Sequence, residues 1–382
     1  MRGKSTIPLI AVLLFGFSVA ACLPKLEVPE QSADGWRAGS FEEAGIEQRT
    51  LARLVARIER NRIPNIHGIL IAKGDKLVFE RYFPGHRFAY EEDLFHGELV
   101  HYDASTAHNT MSITKAVTAA TVGIAIDQGL ISSERVAIAS FFPEYAHLFD
   151  ERKRKISINY LLSMSSGLQW NEWEVPLAST KNDLIQLFIV TDPIGFILAK
   201  PSAHDPGSYW YYSGGDVNLL GEVFKRATGR RIDDFSAEYL FAPLGISVFQ
   251  WSYLKPDLLY ASGELFLRPR DLAKFGYLFL NDGVWNGKRV ISSEWIAKTL
   301  TPQISTGGRS KDGEAYGYQW WLKSFSRENK PIRAYIRSGW GGQAIILLPE
   351  FDMLVVSTGG NYVDPDPVLD LVREYLLPAI QN

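Results

Sequence analysis

The sequence predicts a mixed α/β (α+β) fold: an antiparallel sheet built from N- and C-terminal strands, flanked by helices, with an inserted helical subdomain. Three observations predict it. A strand–turn–strand signal near the start of the chain is answered by strand signals only near its end. The long segment between them carries helical periodicity. No internal repeat or low-complexity tract points to a solenoid or a disordered scaffold. The 382 residues are 46% hydrophobic and 22% charged, an ordinary globular balance. Ten Trp, 17 Tyr and 21 Phe supply apolar surface for a sizeable core.

At the N-terminus, Arg2 and Lys4 precede an apolar run, Ile7 to Ala21, that ends in Val19-Ala20-Ala21-Cys22. A basic start, an apolar stretch and small residues before a cut site describe a secretory signal peptide. The run of about fifteen residues is shorter than the roughly 20 a spanning helix needs. Cys22 is the sole cysteine, which excludes an internal disulfide and a cysteine-based zinc site. The stretch resembles the lipobox of bacterial lipoproteins, which implies that residues 1–22 are a lipoprotein signal peptide ending at a lipidated Cys22. Residues 23–40, polar and Pro-containing, read as a tether, and 41–382 as the folded domain, with the helical subdomain at about 130–260. A lipidated Cys22 would anchor the protein in the bacterial cell envelope. Leu23, in place of the aspartate expected for inner-membrane retention, favours the periplasmic face of a Gram-negative outer membrane.

From Phe41 to Arg62, the residues Leu51, Leu54, Val55 and Ile58 fall on one helical face. Gly68–Ala72 and Leu77–Tyr82 flank the turn Lys73-Gly74-Asp75-Lys76, a hairpin signal. Pro84–Thr110 reads as a His-containing loop. Ser112–Gly129 predicts a mostly buried helix stopped at Gly129. Helical patterns continue through Ile158–Met164, Asp183–Val190, Asn218–Thr228 and Arg270–Leu280. Ala334–Arg337, Gln343–Leu348 and Met353–Thr358 read as strands. Pro367–Leu377 predicts a closing helix, with Asp366 as its N-cap.

Two Ser-x-x-Lys patterns occur, Ser112–Lys115 and Ser252–Lys255, and four-residue matches this loose arise by chance. Context separates them, because Lys255 precedes Pro256 while Ser112 opens a strong helix. Ser112 and Lys115 are then one turn apart on the same face. A serine there is commonly a simple N-cap. It also sits beside unpaired backbone N–H groups and the positive helix end, which suit an oxyanion.

The surrounding motifs favour chemistry. Thr110-Met111-Ser112-Ile113-Thr114-Lys115 resembles the nucleophile motif of the serine β-lactamase and penicillin-binding protein superfamily. Leu161–Leu168 (LLSMSSGL), Pro206–Ser213 (PGSYWYYS), Leu219-Leu220-Gly221, Ala261-Ser262-Gly263, Arg268–Gly276 (RPRDLAKFG) and Ser338–Gln343 (SGWGGQ) continue the match in order. The resemblance, from about residue 60 to the C-terminus, is to the class C-like branch, and most to its esterases and 6-aminohexanoate-dimer hydrolases. It implies a β-lactamase/transpeptidase-like fold and a cofactor-free serine hydrolase that cleaves a small-molecule ester or amide through an acyl-enzyme on Ser112. Lys115 would take the serine proton or stabilise the Tyr212 phenolate. Tyr212 would act as base and then as acid. The choice between Lys115 and Tyr212 as base stays open. Backbone N–H groups of Ser112 and Trp340 would form the oxyanion hole, and Arg337-Ser338-Gly339 would bind substrate.

Two positions depart from the branch. Gly214 stands where it has asparagine, and Arg337 where it has the lysine of Lys-Thr-Gly. Both weigh against lactams, although Arg337 could hold a substrate carboxylate in a two-pronged contact. The alternatives are a β-lactamase or D-Ala-D-Ala carboxypeptidase, and a catalytically silent penicillin-binding-like module. The net charge of −3 gives no reason to expect nucleic acid as partner. The seven histidines show no metal spacing. Gly-x-Ser-x-Gly, Gly-x-Gly-x-x-Gly and Walker loops are absent from the sequence. Glu172 is given no role, and nothing in the sequence sets the oligomeric state.

Overall fold

A computed structural model describes residues 23–381 other than 178. Residues 1–22, read above as a lipoprotein signal peptide ending at Cys22, lie outside the described residues. Among those described, no helix is long and apolar enough to cross a membrane.

The N-terminal helix α1 (Gln48–Glu59) buries Leu51, Leu54, Val55 and Ile58, the face its periodicity predicts. Its N-cap is Glu47, whose carboxylate accepts from the Arg49 and Thr50 N–H groups. The hairpin follows as β1 (Ile66–Lys73) and β2 (Lys76–Tyr82), paired antiparallel. Pro84–Thr110 is not a loop throughout: β3 (Pro84–Phe88) and β4 (His96–His101) form a second hairpin. Its polar sequence hides the strands because this two-stranded ribbon is largely open to solvent and lacks apolar alternation.

Helix α2 (Thr114–Asp127) is buried on nearly every side, and α3 (Gly214–Thr228) and α4 (Pro269–Leu280) pack around it and the sheet. The C-terminal half adds β5 (Trp321–Arg327), β6 (Lys330–Gly339), β7 (Gln343–Leu348) and β8 (Met353–Gly359). The main sheet has nine strands, in the order Arg37–Ala38, β2, β1, β8, β7, β6, β5, Ala315–Tyr316, Ile304–Ser305. Strands from both chain ends meet where β1 pairs with β8, with Leu70 opposite Val356.

Alternation along these strands divides the core in two. Leu70, Ala72, Ile345, Leu347, Leu354 and Val356 face the α2–α4 side. Ile69, Ile71, Ile346, Leu348, Met353 and Val355 face α1 and the C-terminal helices. The predicted closing helix is broken into Val368–Leu371, a π turn Val372–Leu376 and Leu377–Ala379. Asp366 Oδ1 still accepts the Val368 N–H (2.9 Å).

The stretch read as a tether is docked instead. Leu26 and Trp36 are buried, and Arg37–Ala38 adds a parallel strand beside β2. Arg270 donates to Ser32 Oγ (2.7 Å), Asp34 Oδ2 (3.2 Å) and the Glu30 carbonyl (2.9 Å). Composition alone misleads here, because these polar residues find their partner on α4.

Candidate active site

Ser112 stands in a single tight turn, Met111–Ile113, that runs into α2. Short polar side chains build this turn by hydrogen-bonding to nearby backbone. Thr110 donates to the Leu265 carbonyl through both N–H (2.9 Å) and Oγ1 (2.7 Å). Asn109 Oδ1 accepts the Met111 N–H (2.9 Å), and Thr114 Oγ1 donates to the Met111 carbonyl (2.6 Å). Met111 is thereby held in the left-handed region at φ 49°, a strained conformation for a side chain of this size.

One turn on, Lys115 is almost wholly buried, and its Nζ donates to Ser112 Oγ (2.8 Å) and the Ser262 carbonyl (2.7 Å). The same Nζ lies 5.1 Å from the centre of the Tyr212 ring. Tyr212 is buried just before α3, parallel to Trp321 at 6.1 Å and edge-on to Trp173 at 5.4 Å. Ser112 and Lys115 thus meet Tyr212, about a hundred residues further along the chain, at one place. The Leu161–Leu168 motif supports them from below. Tyr211 N–H donates to the Met164 carbonyl (3.0 Å), and Ser166 Oγ donates to Asp216 Oδ1 (2.7 Å). Burial pushes the Asp216 carboxyl up to about 7.

The backbone N–H groups of Ser112 and Trp340 find no acceptor among the described residues, and both residues line the main cavity. Gly339 explains how β6 comes so near the nucleophile turn. A Cβ there would stand 2.6 Å from the Thr110 carbonyl and 3.1 Å from Met111 Cβ. Phe88 and Phe95 of the second hairpin region pack edge-on against Trp340 at 5.6 and 4.9 Å.

The expected contact between Arg337 and a substrate carboxylate is corrected by the geometry. The guanidinium is fully buried and points beneath the nucleophile. Its Nε (2.9 Å) and Nη2 donate to the Ser112 carbonyl, and Nη1 donates to Tyr316 OH (2.9 Å) and the Gln319 carbonyl (3.0 Å). Nη2 also approaches Tyr212 OH (3.4 Å). Burial disfavours the charge, but Tyr316 and Tyr212 beside it more than offset that, so the guanidinium pKa lies above its ordinary value. Ser338 Oγ is engaged by Asp312 Oδ2 (2.9 Å). None of Arg337, Ser338 and Gly339 is among the residues lining the cavity.

That cavity, about 450 Å³, opens above Ser112. Its wall is mainly apolar, with Val175, Leu184, Ile185, Phe188, Tyr260 and Trp340. Trp210, Trp320 and Trp321 are core residues and do not line it.

Sequence reasoning passes over Glu172. It is 7% exposed and lines the cavity. Its Oε2 accepts from Trp170 Nε1 (2.7 Å) and the Gly214 N–H (2.6 Å). The signal was the glycine at 214, which leaves room for a group from another segment.

The family model described as Beta-lactamase matches residues 51–358. The 6-aminohexanoate-dimer hydrolase of Paenarthrobacter ureafaciens is 27% identical over 286 residues, covering 68% of this chain and 67% of that protein. The crystal structure of a family VIII carboxylesterase superposes with a TM-score of 0.64 at 16% identity, covering 92% of this chain and 99% of the other. A D-stereospecific amidohydrolase from Streptomyces sp. gives 0.58 at 16% identity, covering 83% and 96%. At such identities the two structures speak to the fold.

Proposed function

The chain belongs to the beta-lactamase family and is a serine hydrolase of ester or amide bonds, and on that premise we propose that Ser112 is its nucleophile, served by Lys115 and Tyr212. The observation that carries the assignment is the 2.8 Å contact from the buried Lys115 Nζ to Ser112 Oγ at the floor of an apolar cavity. In acylation, Ser112 Oγ bonds to the substrate carbonyl carbon while its proton passes to Tyr212. To accept that proton Tyr212 must already be ionised, with Arg337 Nη2 beside its oxygen (3.4 Å) and Lys115 Nζ near its ring. The carbonyl oxygen turns toward the free N–H groups of Ser112 and Trp340, which are fixed before the reaction begins. The proton then moves to the leaving alcohol or amine as its bond to carbon breaks. Water repeats the sequence in reverse and frees the acid and Ser112.

The cavity supports neutral, apolar acyl groups over lactam antibiotics and D-Ala peptides, whose carboxylates meet no free cation on its wall among the described residues. A fluorophosphonate probe tests the nucleophile. Wild type should take up one label on Ser112, Ser112→Ala none, and Lys115→Ala should lose about 10²–10⁴-fold in ester turnover. Equal labelling of Ser112→Ala would overturn the assignment.

For location, we propose lipidation at Cys22 and display on the periplasmic face of the outer membrane. The sole cysteine behind a signal-like run supports this reading. With Leu26 already docked, only a few residues would separate lipid and domain. Palmitate incorporation, and its loss in Cys22→Ser with release of soluble protein, tests it.

A further inference from the structure

We infer that the exposed face of α1 docks on an anionic phospholipid membrane and so turns the catalytic cavity toward the water. The inference goes beyond the chemistry proposed for Ser112 and does not depend on it.

Five of the fourteen residues from Arg49 to Arg62 are arginine: Arg49, Arg53, Arg57, Arg60 and Arg62. All five are exposed. At 3.6 residues per turn the first four fall within about 80° of arc and span about 16 Å along the helix. Leu51, Leu54, Val55 and Ile58 hold the opposite, buried face. The result is a straight basic stripe lying flat on the outside of the domain.

A solvated helix face ordinarily mixes charges of both signs, which pair along it. This one does not. The one acid in the segment, Glu59, pairs with Arg81 on β2 (2.8 Å), and Glu47 is occupied as the N-cap. The five arginine side chains form no ion pair or hydrogen bond among the described residues. On the segments that flank or pack against α1, Glu27, Glu42 and Glu374 are acids without an ion pair, three against five. The basic run Arg152–Lys155 makes the contrast. There Arg152 pairs with Asp205 (2.9 Å) and Lys153 donates to the Leu198 carbonyl (2.6 Å).

Position identifies the partner as a membrane. Gln48, the first residue of α1, donates from Nε2 to the Leu26 carbonyl (3.1 Å). Four residues of chain reach at most about 14 Å, so a lipid carried at Cys22 would enter the bilayer beside α1. A stripe of cations next to that point meets phospholipid headgroups whenever the helix lies along the surface, and each arginine there strengthens attachment about fivefold. The lipid supplies attachment, and the stripe supplies orientation. The opposite side of the sheet then faces the water. Helix α1 packs with the core on one face of the sheet, whereas Tyr260 and Leu184 of the cavity wall pack with the core on the other. Substrate would therefore arrive from solution.

The test uses Cys22→Ser protein, which cannot carry the lipid, with vesicles of phosphatidylcholine alone and of phosphatidylcholine with phosphatidylglycerol at about 3:1. Sedimentation should show at least about thirtyfold tighter binding to the anionic vesicles, lost as salt rises from about 0.05 to 0.5 M. Adding Arg53→Gln and Arg57→Gln should weaken that binding about thirtyfold. Adding Arg152→Gln and Arg289→Gln instead, which removes the same charge from exposed positions elsewhere, should leave it unchanged. Protein bound to the anionic vesicles should cleave a water-soluble p-nitrophenyl ester as fast as free protein. Equal affinity for the two vesicles, or equal loss in the two double variants, would overturn the docking surface. Stripe-dependent binding to heparin with none to the anionic vesicles would overturn it in favour of a soluble acidic partner. Loss of most ester turnover on vesicle binding would overturn the orientation, because the cavity would then face the lipid. Palmitate incorporation and fluorophosphonate labelling read the Cys22 and Ser112 assignments separately, so failure of either is distinguishable from failure of the stripe.

Discussion

Replacing Arg337 by lysine separates a buried clamp from a substrate anchor. The guanidinium fork serves the Ser112 carbonyl, Tyr316 OH and the Gln319 carbonyl at once, from a side chain with no exposed surface. Lysine keeps the charge but not the planar fork, so one ammonium cannot satisfy acceptors spread along both edges of it. If two acceptors lose their donors at about 1–3 kcal/mol each, the variant should be destabilised by about 2–6 kcal/mol. For a chain of this size that is a fall in Tm of several degrees, at roughly 2–4 °C per kcal/mol. Because one acceptor is the carbonyl of the nucleophile itself, kcat on a neutral ester should fall alongside stability, with KM changed less. Thermal unfolding and p-nitrophenyl ester kinetics on the same preparation read both effects. If Arg337→Lys keeps its Tm within about 1 °C and loses only carboxylate-bearing substrates, the clamp is wrong and the residue reaches substrate.

Two more perturbations follow from the same turn. Gly339→Ala would set a methyl 2.6 Å from the Thr110 carbonyl, so β6 and the nucleophile turn must separate. Ester turnover should drop by at least about tenfold, the scale on which misplaced reacting groups lose rate; retained turnover would show that the turn tolerates the shift. The second concerns pH. His108 Nδ1 meets the Asn109 carbonyl (3.0 Å), so it carries the proton, and His108 Nε2 must accept from His67 Nδ1 (2.9 Å). Burial lowers His108 from 6.5 to about 4 and His67 to about 2. The unfolded chain therefore binds more protons than the folded one below pH 6.5, and stability should fall on acidification from there through about 4. His108→Gln should flatten that slope in unfolding measured between pH 7.5 and 4.5, and an unchanged slope would assign the acid sensitivity elsewhere.

Which parts of this molecule were legible follows from how local their causes are. Helix α2 and the β1–β2 hairpin were readable because their apolar spacing and turn residues lie within one short window. Ser112 and Lys115 were readable for the same reason, since three residues on a helix set their contact. The β3–β4 hairpin was not, because its solvent-facing strands carry no apolar alternation. Nor was the docking of residues 23–40, which depends on Arg270 more than 200 positions away.

The two departures from the family pattern show the same limit at the site itself. In the sequence, Gly214 and Arg337 look like separate losses of substrate contacts. In the structure each is half of a pair whose other member lies elsewhere in the chain. Gly214 makes room for Glu172, and its own N–H holds that carboxylate in place (2.6 Å). Arg337 turns inward because Tyr316 and Gln319, from the strand two places away in the sheet and the turn after it, supply acceptors beneath Ser112. A motif compared position by position registers the missing asparagine and lysine but not the groups that answer them. The chemistry at this site is therefore better described by the charges that face the cavity than by the motif letters. Those charges put the Glu172 and Glu264 carboxylates on the cavity wall and keep Arg337 under the nucleophile, where it can favour acyl transfer without attracting an acid.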